Sequence, residues 1–174
     1  MCDILAVDAA AQYRQLLQLG RDEFLAAAAP AAFVRYRGEA DESTTGQTRS
    51  IDEEIEETLP HGRDWIPEQD YEIYPLAKKP GASFPDRITI GRTVNNDVVI
   101  SDSSVSRLHA YVRRDGARWL VADAGSKNGS WLGGQSLLAR REQPLLSKTV
   151  LRIGDVDVTF YVAEDLYAAL GGRP

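Results

Sequence analysis

The chain has 174 residues, 43% of them hydrophobic, and a net charge of −6. That suits one core of ordinary size plus an extension, and it excludes wholesale disorder. A single cysteine, Cys2, excludes an internal disulfide and fits a reducing compartment, while the absence of any run of about eighteen apolar residues excludes a membrane-spanning helix. The first residues carry Asp3 and Asp8 and lack a basic region before a long apolar one, so a secretory signal is not expected and the cytoplasm is.

In chain order, Tyr13, Leu16 and Leu17 recur at helical spacing, predicting a helix from Asp8 to Leu19 that stops at Gly20. A second short helix is expected from Glu23 to Ala29, and the alternation in Phe33 to Arg37 predicts a strand. Residues 1–37 therefore read as an N-terminal helical and strand extension, either packed on the main domain or forming a unit for a partner. Residues 38–67 net −7 and hold few apolar anchors before Ile51, which leaves the rest of the chain near +1. Such a segment gains too little from burial to offset the entropy of ordering, so a flexible acidic linker is expected. It carries Thr44, Thr45 and Thr48, candidate phosphorylation sites. With no basic stripe to neutralise a phosphate backbone, nucleic-acid binding is excluded.

From Tyr71 the texture becomes β. Strands are expected at Tyr71–Ala77, Arg87–Ile90, Val98–Ile100, Ala110–Arg114, Arg118–Asp123, Ser130–Leu132, Thr149–Ile153 and Val156–Tyr161. Asp115-Gly116 marks a hairpin, Gly154-Asp155 joins the last two strands, and a helix over Glu164–Leu170 stops at Gly171-Gly172. Many short strands with regular turn signals predict an all-β sandwich over residues 68–163, with a short C-terminal helix over 164–174.

The loops between these strands hold the chemistry. Arg92 offers a permanent charge in a forked donor geometry suited to phosphate oxygens, and the Ser106 hydroxyl can donate to another. Asn128 carries both an amide donor and an acceptor, which suits holding a peptide main chain. Gly91 and Gly129 read as conformational necessities in turns. Ser106 and His109 invite a hydrolase reading, but no nucleophile elbow or third member accompanies them. No Gly-Lys-Ser/Thr phosphate loop, kinase signature or Cys/His metal set is present, so neither a cofactor nor a metal is expected. Trp119 and Trp131 read as core and rim packing.

Gly91-Arg92, Ser106-Arg107-Leu108-His109 and Gly125-Ser126-Lys127-Asn128-Gly129, in that order, resemble the forkhead-associated (FHA) domain over roughly residues 70–162. The resemblance implies an FHA-type sandwich of short antiparallel strands whose loops at one end bind a phosphothreonine peptide. It assigns Arg92, Ser106, Arg107, Lys127 and Asn128 to the peptide, and Gly91, His109 and Gly129 to the framework, with His109 bracing the loop. Lys127 stands where the family often has a threonine that contacts phosphate, and Gly133 where an asparagine is common. The function implied is an adaptor in Ser/Thr kinase signalling, not an enzyme. Its partner would be a phosphothreonine protein or its own phosphorylated acidic segment, with no nucleic acid or membrane involved. The alternative is a scaffold that assembles without phosphate through the sandwich and the N-terminal extension.

Overall fold

The computed structural model describes residues 4–37, 66 and 71–173, with side chains from Asp8 onward. Eleven strands among these residues form two sheets. The six-stranded sheet runs β2 (Tyr71–Pro75), β1 (Ala31–Tyr36), β11 (Val156–Val162), β10 (Val150–Ile153), β7 (Ser130–Leu132), β8 (Gln135–Ser136). The five-stranded sheet runs β4 (Val98–Val99), β3 (Ile88–Gly91), β5 (Ala110–Asp115), β6 (Arg118–Asp123), β9 (Gln143–Leu145). All strand pairings are antiparallel except β3 with β4. The sandwich expected from the strand spacing is the fold, with α1 (Ile4–Leu19) and α2 (Arg21–Ala27) before it and α3 (Ala163–Ala169) after it.

Two hydrophobic cores share the central strands. Between the sheets, Phe33 and Trp119 each meet Phe160 edge-on with ring centroids 5.8 Å apart, among Ile90, Leu151 and Ile153. The second core lies behind the six-stranded sheet. There Tyr13 and Tyr167 pack against Phe24 at 5.7 and 5.2 Å, over Ala32, Val34, Ile73 and Tyr161. Because β1 alternates Ala31 and Phe33 toward one core with Ala32 and Val34 toward the other, it is apolar on both faces. It lies between β2 and β11, so the strand read into the N-terminal extension is an interior strand of the sandwich.

Two strands escaped the sequence reading, each for a local reason. In β9, Pro144 argues against a strand, and it is tolerated because β9 is a sheet edge. The two-residue β8 follows Gly133-Gly134, both at positive φ (54° and 83°), the type I′ hairpin for which Gly-Gly is suited. Glycine at position 133 thus serves the β7–β8 turn. Of the expected acidic linker, only Ile66 is described. It is buried in the second core, and its N–H donates to the Ala169 carbonyl at 2.8 Å. Thr44, Thr45, Thr48 and the rest of that segment lie outside the described residues.

Removing β1 strips Phe33 and Val34 from the two cores, together about 3–6 kcal/mol of burial, and unpairs both β2 and β11. Against a total stability of about 5–15 kcal/mol, a truncated chain beginning at Tyr71 should show no cooperative thermal transition. A cooperative melt of that fragment by circular dichroism would contradict this account of β1.

Candidate functional site

At one end of the sandwich, the β3–β4, β4–β5 and β6–β7 loops enclose an open groove of about 790 Å³. Arg92, Ser106, Arg107, Lys127 and Asn128, all five residues that the sequence singles out for a ligand, line it. Gly91, His109 and Gly129 lie behind them as the framework.

The loops are stitched together through Ser106 and His109. The Arg92 N–H donates to the Ser106 carbonyl at 2.9 Å, and the Lys127 N–H donates to Ser106 Oγ at 3.0 Å. His109, fully buried, accepts the Ser106 N–H at Nδ1 (2.9 Å), while its Nε2 lies 2.9 Å from the Gly129 carbonyl. A carbonyl can only accept, so Nε2 carries the proton and the ring is the neutral Nε2–H tautomer. Burial pushes the His109 imidazole below its usual range, only partly offset by the Gly129 hydrogen bond and the Asp123 charge. Both ring nitrogens are occupied by main chain, so the imidazole holds no lone pair for the Ser106 hydroxyl. That geometry gives Ser106 no general base.

Backbone proximity explains the first glycine. A Cβ on Gly91 would stand 2.2 Å from the Arg107 carbonyl oxygen, a distance no side chain permits. The same carbonyl accepts from Asn96 Nδ2 at 2.6 Å, and Asn96 also holds the Thr93 carbonyl at 2.8 Å. This buried amide therefore sets the distance between the Arg92 loop and the Arg107 loop. Asn96 is anchored in turn by Asp97, which accepts from Lys78 Nζ, the Lys79 N–H and the Thr89 N–H, each at 2.8 Å.

Asp123 shapes the third loop. Its carboxylate accepts the Gly125 and Ser126 N–H groups at 2.7 and 2.9 Å and the Ser126 and Ser130 hydroxyls at 2.6 and 2.7 Å. Burial by itself raises this carboxyl, but the donors outweigh it and hold Asp123 below the ordinary carboxylate range. Ser126 Oγ then accepts the Gly129 N–H at 2.9 Å, and Gly129 takes a φ of 85°. The sequence reading assigned no role to Asn96 or Asp123. An Asp two and three residues before Gly-Ser is a turn signal in its own right, but Asp123 stands at the end of a strand-like run, and that pattern masks it.

A half-buried ionic link ties this end of the sandwich to β1. Glu72 sits among Arg37, Arg35 at 3.8 Å and the Tyr74 hydroxyl at 2.9 Å, and Arg35 reaches Asp102 at 3.9 Å. Asp102 accepts the Ser104 N–H and hydroxyl at 2.9 and 2.7 Å, and the Ser104 carbonyl accepts from Asn128 Nδ2 at 2.7 Å. That contact fixes the Asn128 amide orientation and leaves its Oδ1 and second N–H facing outward. Ser106 Oγ, already accepting, keeps its own proton to donate. Arg92, Arg107 and Lys127 are exposed and make no ion pair among the described residues.

The sandwich thus carries three cations, a hydroxyl proton and an oriented amide at one loop end. Residues 88–154 match the family model of the FHA domain. An FHA domain-containing protein of Arabidopsis thaliana is 31% identical over 81 residues, 46% of this chain and 20% of the relative, so the chain spans about a fifth of that protein's length. Among solved structures, EmbR of Mycobacterium tuberculosis in complex with a low-affinity phosphopeptide is 28% identical, with 52% of this chain and 21% of that one covered at a TM-score of 0.44. The FHA domain of an Arabidopsis thaliana hypothetical protein is 21% identical, with 77% and 86% covered at a TM-score of 0.46.

The neutral, buried His109 makes stability depend on pH. Its folded pKa lies below the ordinary 6.5, so the unfolded chain binds the proton more readily. This stabilisation is fully present above about pH 6.5 and is lost as pH falls through the folded value. Asp123, held below 3.8, gives way only in stronger acid. The melting temperature should therefore drop between pH 7 and pH 5, and His109→Gln should start lower but flatten that slope. Parallel slopes for the two proteins in scanning calorimetry would refute the assignment.

Proposed function

We propose that this protein is a phosphothreonine-dependent adaptor that reads the product of a Ser/Thr kinase and is not itself an enzyme. The observation that carries the reading is the convergence of Arg92, the Ser106 hydroxyl and the Asn128 amide on one groove, with none of the three turned into the protein's own core. A phosphate ester brings about −1.5 to −2 charges and three acceptor oxygens. Arg92 and Arg107 meet the charge, Ser106 donates to an oxygen, and the outward Asn128 amide holds the ligand main chain on either side. FHA domains are protein-interaction modules, and the occupied His109 ring accords with binding without turnover.

Titration of a phosphothreonine peptide library by fluorescence anisotropy should give binding that vanishes on dephosphorylation. Arg92→Ala should weaken it about thirtyfold or more, the cost of leaving a charge without its partner being about 2–5 kcal/mol. Equal binding by both proteins, or capture of a partner that survives phosphatase, would reject the reading in favour of a phosphate-independent scaffold.

The acidic segment of the same chain is a second candidate ligand. Arg35, near the end of β1, reaches the β4–β5 loop through Asp102. Thr44, Thr45 and Thr48 follow Arg37 by seven to eleven residues, an extended reach of about 23–40 Å. A phosphorylated threonine there would compete at high effective concentration with any external peptide. Phosphorylation of the protein should lower its affinity for an external phosphopeptide at least tenfold, and alanine at all three threonines should restore it. Undiminished binding after stoichiometric phosphorylation excludes self-occupancy.

A further inference from the structure

The groove carries more positive charge than one phosphate ester consumes. Arg92, Arg107 and Lys127 all line it, whereas a phosphomonoester brings at most about two negative charges. Their main chains meet at one place. The Arg92 and Lys127 amides both bond Ser106, and Arg107 is its neighbour in sequence. The carboxylates of these loops do not offset the surplus. Asp97 is taken up by Lys78, Lys79 and Thr89, Asp102 by Ser104 and Arg35, and Asp123 by four donors beneath the β6–β7 loop. With Arg92 and Arg107 meeting the phosphate, Lys127 is the cation left over. Its N–H is fixed on Ser106 Oγ, which leaves the ammonium, a compact charge on a flexible stem, for the ligand alone.

We propose that Lys127 makes the groove selective for a phosphothreonine with a further negative charge beside it, either an acidic side chain or a second phosphate. The proposal rests on the phosphothreonine reading and specifies its substrate class. An exposed lysine facing a carboxylate gains little, so the preference for an acidic flank is about two- to fivefold. A second phosphate, with more charge and more acceptors, gains about tenfold. Both gains are screened by salt.

The test uses the full chain and three peptides of one length: a phosphothreonine with neutral flanks, the same with glutamates beside it, and the same with a second phosphothreonine. The readout is the ratio of affinities at low salt and at about 0.5 M salt, whatever the absolute values. The wild type should favour the two acidic peptides by the stated factors, with the ratio shrinking in salt. Lys127→Gln keeps the main-chain donor and should bring the ratio near one, and Lys127→Arg should restore it. Equal affinity of the wild type for all three peptides, or a full preference in Lys127→Gln, overturns this proposal while leaving the phosphothreonine reading in place. Binding of none of the three overturns both.

Discussion

A single uncharged imidazole holds the groove together. His109 takes the Ser106 N–H on one nitrogen and gives its proton to the Gly129 carbonyl on the other, so two loops far apart in sequence are joined across one ring. A charged imidazole would present a donor to the Ser106 N–H, and two donors repel. Full burial enforces the neutral form, because an imidazolium there would lose its hydration. The position of Ser106 and the curvature of the Gly129 turn both follow from that choice.

Around this ring, the groove is assembled from main-chain contacts, with side chains pointed away from the protein. Arg92 and Lys127 are fixed by their backbones on Ser106, leaving the guanidinium and the ammonium unpaired among the described residues. Asn96 and Asp123 keep the loops apart and curved without entering the groove. A groove built this way has its backbone fixed, while the exposed cationic side chains keep their rotamer freedom. The Asp102–Ser104–Asn128 relay extends the same bracing to β1, which lies outside the stretch matched by the family model.

The sandwich was legible because short β-prone runs recur between turn signals, with Gly116 and Gly154 each at a φ of 61° where the chain reverses. The groove residues were legible only jointly: singly, serine and asparagine are ordinary turn residues, but Gly91-Arg92, Ser106 to His109 and Gly125 to Gly129 in that order form one pattern. The standing of β1 was not. Six apolar-rich residues before a long acidic stretch carry no mark of which strands they will join, and pairing with β11 is a long-range fact. The parts played by Asn96 and Asp123 were hidden for a similar reason: their partners are backbone atoms, and backbone leaves no trace in a sequence motif.

The place of β1 also bears on how the molecule comes into being. Ala31 pairs with Val162, so this interior strand finds its second neighbour only when nearly the whole chain is available. On the ribosome β1 emerges before β11 and waits for it, with apolar residues on both strand faces and an unpaired edge. Long-range closure of this kind raises contact order and slows folding. The dense negative charge immediately after β1 in sequence discourages intermolecular strand pairing during that interval.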